Sequence, residues 1–535
     1  MVHDVAITVR GPRRFGELSD IEFDIYDFSG GVNIKKTPQQ LSDNELVSAV
    51  NVYLRSEGGV EMRKGMTPRG TLLGAGLGQG LAYLYQQTKN GAPQSTPPTY
   101  LIGVVGTSVY NVDTGALVGM VSAGSQAPQF VKVYDPQHAG GASDILVFTT
   151  GVGGPYAFDG VSVYTLPLSN PAAAVDARWC ALVNGVLWFG GMKAQPNLVV
   201  GTVIGQPETD PFYQQFAMSQ PVTGLGTLGA GAQAALVVGA THGVAAIYGV
   251  GPGNFVLQDF PATDGVAAGR TVLTIDGIVY FLGARAVYRF DGQTITAIST
   301  PVEPWILNDP LTQDYPMSGN RALAWAFEYN QRLHIVYDRG PGYANTMLVF
   351  DLLVGGWTVI DGPTLSGAAY LDAPSDARPL NIVVMDSTKG QAYLWDQYNG
   401  QGSTGHNVTD AGAIIATSVQ TKYFKIGMPG TRKKMRRAYP EMFTEVFTGT
   451  FTVTTDYGQS AGSGASTAVT ASTFTWDQSL WDQALWSATG LGFFKNRIDF
   501  NVAGEAFAFS VSSADTNPPW RFVGLSGVFV QEARN

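Results

Sequence analysis

A unit recurs in this chain about every 45 residues. It is an apolar strand, a turn, and a second strand that ends in an aromatic residue followed by aspartate or glycine. "SVYNVDTGALVGMV", "PYAFDGVSVYTL", "AVYRFDGQTITAI", "MLVFDLLVGGWTVI" and "QAYLWDQYNG" are the clear copies, marked by Asp113, Asp159, Asp291, Asp351 and Asp396. The wide interval between Asp159 and Asp291 holds two weaker copies, "NLVVGTVIG" and "VAAIYGVG". Second strands such as "TYLIGVVG", "DILVFTTG" and "VLWFGG" precede the markers. A period of this length with several strands per period predicts a β-propeller, because a small sheet cannot bury its faces alone and must stack radially on its copies. Six or seven blades are expected over residues 71–410. A row of β-sandwiches is the alternative, and it would give turns without a period. The pairs Asp159-Gly160 and Asp291-Gly292 read as hairpin turns.

The flanks differ. Residues 1–20 read as an N-terminal arm. Helical periodicity is scarce, and residues 21–70 hold the best candidate: Ser42 and Glu45 form a capping box ahead of Leu46, Val47, Ala49 and Val50. A helix of about two turns is expected over Asp43–Asn51. Residues 411–535 alternate as antiparallel strands and predict a sandwich-like β domain. Within it Trp476, Trp481 and Trp486 recur every five residues in "TFTWDQSLWDQALW". That spacing suits neither a helix face nor a strand and suggests a loop pinned by aromatic anchors. The fold class is therefore all-β, with a small α-containing segment near the start.

Charged residues make up 14% of the chain, against roughly 25% in ordinary domains, and glycine numbers 66 of 535. Both fit short strands, tight turns and surfaces buried in an assembly. The net charge of −10 argues against a dedicated nucleic-acid binder. The lone Cys180 excludes an intrachain disulfide and reads as a buried apolar side chain. The first twenty residues lack a signal-peptide core, and no run reads as a membrane span. A soluble protein made in a cytoplasm is expected.

Catalytic, cofactor and metal sites have no sequence support. His3, His138, His242, His334 and His406 are far apart and show no metal-binding spacing. There is no nucleophile elbow and no phosphate loop. Acidic residues such as Asp338 and Asp386 offer no evident catalytic pair. One basic block stands out: Arg432, Lys433, Lys434, Arg436 and Arg437. It reads either as a cation-guarded edge strand or as a contact with an acidic subunit or with DNA phosphates.

Two segments carry a resemblance. Gly30, Gly31, Val32 and Asn33 are followed by Pro38, Leu41, Asp43, Asn44 and Glu45, then by Asn51, Leu54, Gly58, Gly59, Arg63 and Gly65. The second segment is "TKYFKIGMPGTRKKMRRAY", Thr421–Tyr439. Together with the Trp-Asp-Gln repeat they resemble the nozzle, or tail tubular protein B, family of short-tailed bacteriophages. The resemblance covers about 40 N-terminal and 70 C-terminal residues directly. It implies a non-enzymatic virion protein, assembled in the host cytoplasm, that forms a hexameric ring closing the tail channel and conducting DNA during ejection. The implied partners are other copies of the chain, the head-to-tail adaptor, tail fibres or other tail proteins, and phage DNA passing without sequence-specific binding. Gly30, Gly31, Asn33, Glu45, Asn51, Gly58, Gly59 and Arg63, with the basic block, are then candidate interface residues. Six copies at −10 would sum to about −60, and such a bore repels phosphate. A carbohydrate-binding or carbohydrate-cleaving propeller is the alternative, with Trp188, Trp305, Trp325 and Trp357 as candidate sugar-facing rings. A free-standing adhesin would show a fibrous repeat, and none is present.

Overall fold

The computed structural model describes residues 20–531, except 139–142, 171–173, 210–213, 252, 310–313, 318, 341–344, 373–380, 398–407, 428–429, 445, 457–463, 473–491, 496 and 515–519. No helix among the described residues is long and apolar enough to cross a membrane. The chain divides into two compact units: residues 68–347 with 363–395, and residues 1–67 with 348–362 and 396–535. The expected N-terminal segment and C-terminal domain thus belong to one unit.

The larger unit is a propeller. Five four-stranded antiparallel sheets follow one another, with innermost strands Gly78–Tyr85, Gln129–Asp135, Trp179–Val183, Gly224–Leu228 and Ala268–Ile275. Two more innermost strands, Trp325–Glu328 and Leu365–Tyr370, complete the circuit, and the last packs against the first. Seven radial positions result, within the expected six or seven. Each second strand is buried on both faces, which is why it reads as a continuous apolar run. In Ser143–Thr149, Leu146 and Phe148 pack toward the preceding blade with Leu84 and Ile102. Ile145 and Val147 pack toward the following blade with Leu187 and Phe189. Leu73, Tyr83, Ala369 and Met385 share the core that closes the ring.

Three of the marker aspartates cap the joint between third and fourth strands. Asp159 Oδ1 accepts the amides of Val161 and Ser162 at 2.8 and 2.9 Å. Asp291 does the same for Gln293 and Thr294, and Asp351 for Leu353 and Val354. Each carboxylate mimics a backbone turn, so the joint needs aspartate or asparagine. In the first blade Asn111 takes this place, accepting from Asp113 and Thr114, while Asp113 pairs with Arg69. Two-residue turns with both φ positive occur at Asn184-Gly185 and Asp276-Gly277, the signature of a type I′ hairpin.

The smaller unit contains two antiparallel-rich sheets. In one, Arg521–Gln531 lies between Asp20–Ile25 and Lys433–Thr444. In the other, the order runs from Trp357–Asp361 through Gly31–Val32, Glu45–Val50, Thr417–Thr421 and Phe507–Ser513 to Val446–Thr455 and Gly464–Ser472. Aromatic rings join them face to face: Phe23 stacks on Phe509 at 5.3 Å and Phe507 meets Phe529 at 4.5 Å. The expected sandwich-like architecture is present.

The expected helix over Asp43–Asn51 is not. Glu45–Val50 is a strand, parallel to Gly31–Val32 and antiparallel to Thr417–Thr421. The register against Thr417–Thr421 slips between Leu46 and Ser48. A bulge there shifts the alternation by one residue, so Leu46, Ala49 and Val50 are buried at a spacing that imitates a helix. Half the capping signal is real: Glu45 Oε2 accepts the Ser42 amide at 2.6 Å. It closes a turn into the strand. A two-turn helix is marginal alone, and pairing on both edges overrides it.

Candidate functional site

The segment Phe28–Thr67 is built around backbone positions that only glycine fills. Gly31 has φ +62, and a Cβ there would lie 2.6 Å from the Trp357 nitrogen. Gly58 has φ +93 at the turn joining Val52–Leu54 to Val60–Met62, where a Cβ would lie 2.7 Å from the Tyr26 carbonyl. A Cβ at Gly30 or Gly59 would lie 2.9 Å from the Asn44 carbonyl or 3.1 Å from the Phe522 carbonyl. Asn33 Nδ2 donates to Glu45 Oε1 at 2.7 Å, and Lys36 reaches the same carboxylate at 3.0 Å. Burial would raise the Glu45 pKa, but the Ser42 amide, Asn33 and Lys36 hold it below the usual range.

Arg63 is the centre of this segment. Its side chain is 0% exposed. Nε donates to Asn51 Oδ1 at 3.0 Å, and Nη1 donates to the Lys64 carbonyl at 3.1 Å and to Asp410 Oδ1 at 2.8 Å. Nη2 donates to Asp410 Oδ2. Burial disfavours the charged guanidinium, yet Asp410 raises its pKa above the ordinary value. Asn51 sits at φ +57 and donates to the Ala416 carbonyl at 2.7 Å, while its Oδ1 also accepts the Asp361 amide at 3.1 Å. One arginine and one asparagine therefore tie together residues 51–64, 361, 410 and 416.

The second resembling segment lies beside the first. Leu46 pairs with Thr421, and Val50 with Ser418. Lys422 forms an ion pair with Asp43 and donates to the Leu41 carbonyl at 3.0 Å. The basic block begins the strand Lys433–Thr444, but not the cation-guarded edge strand expected: Arg521–Gln531 pairs on one side and Ile498–Gly504 on the other, and the cations divide. Lys433 is buried, Lys434 half-buried, and Arg436 and Arg437 are both exposed. Two adjacent exposed residues in a strand follow from a bulge between Met435 and Arg437. Arg437 lies 3.7 Å from Asp499.

Other candidates fall differently. Trp476, Trp481 and Trp486 lie outside the described residues. Trp188, Trp305, Trp325 and Trp357 are all buried, at 1, 4, 4 and 1% exposure, so none offers a ring to a sugar. Cys180 is buried, and burial pushes its thiol up to about 12. The sequence spacing gave no metal-ligand group, yet folding assembles one: Asp135, His138 and Glu208 bring ligand atoms within 4.8 Å of one another. Only Asp135 and His138 are close in sequence, so spacing could not reveal it.

No family model and no curated protein matches the chain. Among solved structures it is similar to the extracellular domain of the one-component system BT4673 from B. thetaiotaomicron, at TM-score 0.39 and 9% identity. That match covers 79% of this chain, which spans 62% of the length of the other. It is also similar to the dihydro-heme d1 dehydrogenase NirN, at TM-score 0.33 and 11% identity, covering 72% of this chain and 76% of that one. BBS1N in its complex with ARL6DN matches at TM-score 0.27 and 10% identity, over 47% and 87% of the two chains.

Proposed function

We propose that the chain is a structural protein of a short, non-contractile phage tail, in the position of the nozzle. The observation that carries this reading is the meeting of the two resembling segments in one sheet, Leu46 against Thr421, across 375 residues of sequence. Two segments that resemble one family, far apart in the sequence, pair within one compact unit. Its shape is fixed by glycine approaches and by Arg63, with no reactive group. A ring subunit needs a fixed backbone surface of this kind. The exposed Arg436 and Arg437 are the cations such a module offers to an acidic neighbouring subunit, the adaptor or passing DNA. In this reading the ring is hexameric, and the chain acts without catalysis.

The test is immunogold labelling of particles induced from cells that carry the gene, using antibody raised on the purified chain. Label at the distal end of short tails is the expected result. Particles without label, or a purified chain that releases saccharide from a host surface polymer, would overturn the proposal.

A further inference from the structure

Asp135 ends the innermost strand of the second blade, Gln129–Asp135. Its side chain is 0% exposed. Oδ1 accepts the Gln137 amide at 2.8 Å, but buried Oδ2 has no hydrogen-bond partner. A buried carboxylate oxygen left in that state is costly. It is aimed at two other ligand groups. His138 Nδ1 lies 4.0 Å from Asp135 Oδ2 and 3.6 Å from Glu208 Oε1. Glu208 comes from the loop between the third and fourth strands of the next blade, Leu198–Gly201 and Gln214–Ala217. No lysine or arginine among the described residues pairs with either carboxylate. Burial first, then the charge of Asp135, push the Glu208 carboxyl up to about 7.

The surroundings orient the imidazole. Nε2 of His138 faces Asp159 Oδ2 at 3.7 Å, while Asp159 Oδ1 is held in its turn. A carboxylate behind Nε2 favours the proton there and leaves Nδ1 as the lone-pair nitrogen, on the side of Asp135, Glu208 and Tyr164, the usual second-layer arrangement of metal-binding histidines. The Tyr164 hydroxyl lies 3.1 Å from Nδ1, and with the ring proton on Nε2 it is the donor of that contact. An incoming ion would take that lone pair, and the hydroxyl would turn to a ligand carboxylate.

We propose that Asp135 Oδ2, His138 Nδ1 and Glu208 Oε1 bind a divalent transition-metal ion of the zinc type, clipping the third blade's outer loop to the second blade. One imidazole and two carboxylates suit such an ion better than calcium, which prefers an all-oxygen shell. Tetrahedral ligands about 2.0–2.1 Å from zinc lie roughly 3.4 Å apart. The separations from Nδ1 therefore need contract by about 0.6 Å to Asp135 and about 0.2 Å to Glu208. The inference does not depend on the chain's place in a virion.

The test uses the full chain, stripped with EDTA and dialysed against Zn²⁺, with Co²⁺ as a spectroscopic substitute and Ca²⁺ and Mg²⁺ as comparisons. One Zn²⁺ per chain at micromolar or tighter affinity is expected, with a rise of several degrees in the melting temperature. Co²⁺ should give visible absorption of a low-symmetry N/O site. Asp135→Asn, His138→Ala and Glu208→Gln should each lose stoichiometric binding, and Tyr164→Phe should retain it. Glu208 sits on a loop, so E208Q remains informative if D135N fails to fold. The proposal is overturned if the wild type binds no zinc, if binding survives in folded E208Q and H138A chains, or if the cluster takes up only protons near neutral pH.

Discussion

Replacing Arg63 with alanine removes a fully buried cation and four hydrogen bonds, two of them to Asp410. Breaking a buried ion pair by deleting one partner costs about 3–5 kcal/mol, because the other charge is left without compensation. Two details place this case at the lower end. The Asp410 side chain is 13% exposed and can recover some hydration. Asn51 Oδ1 keeps the Asp361 amide as a donor. The expected loss is therefore about 3 kcal/mol, confined to the smaller unit. A chain with two units need not unfold in one step, so a global melt would blur the result. Peptide-resolved hydrogen exchange is the suitable assay. Amides in Glu45–Val50 and Thr417–Thr421 should exchange roughly a hundredfold faster, at about 1.4 kcal/mol per factor of ten. Those in Ser143–Thr149 and Val186–Gly190, in the propeller, should not change. The pair R63M/D410L should recover most of the loss, since an apolar pair of similar volume can replace a buried ion pair. An acceleration below tenfold in R63A would refute the reasoning.

Gly31→Ala should cost at least about 2 kcal/mol, since αL strain alone is about 1–2 kcal/mol and the Trp357 backbone blocks the Cβ. Gly106→Ala, at φ +59 with nothing within 4 Å, should show the strain alone, and equal losses by denaturant melts would count against the argument. Burial holds the His334 pKa down at about 3, against 6.5 in the unfolded chain. The unfolded state binds the extra proton, so propeller stability should be full above pH 6.5 and fall as pH drops toward 3. The slope should approach about 1.4 kcal/mol per pH unit in that window. His334→Phe should flatten that slope, and an unchanged pH profile in that variant would sink the assignment. Arg436→Ser with Arg437→Ser should shift stability by less than about 0.5 kcal/mol, because both are exposed and the Asp499 contact is a surface pair. A melting temperature lowered by many degrees would show that these cations support the fold.

Sequence revealed the propeller because its turn chemistry repeats: Asp159, Asp291 and Asp351, with Asn111 in the first blade, perform the same local act of capping. It concealed whatever depends on distant partners. The strand Glu45–Val50 imitated a helix because a bulge against Thr417–Thr421 resets its alternation. Lys433 looked like part of one cationic face until strand direction and a second bulge separated it from Arg436 and Arg437. At Gly58 and Gly59 an added Cβ would meet the Tyr26 and Phe522 carbonyls of the same chain, a constraint that the sequence does not display. A valine at either position would therefore disturb the fold itself before any assembly. The Asp135, His138 and Glu208 group joins two blades, and no spacing rule reaches across 70 residues of intervening strand.

The pairing of Leu46 with Thr421 also sets a clock. At roughly 5–20 residues per second of synthesis, the 375 residues between them take about 20–75 s to emerge. Each four-stranded sheet of the propeller closes through hairpins between consecutive strands, so it can pair as it leaves the ribosome. Glu45–Val50 must wait for both Thr417–Thr421 and Trp357–Asp361, with its apolar residues and open strand edges exposed in the interval. A segment made long before its partners is thus among the last to fold, and the interval before they arrive is when the protein is most open to aggregation or to capture by a chaperone.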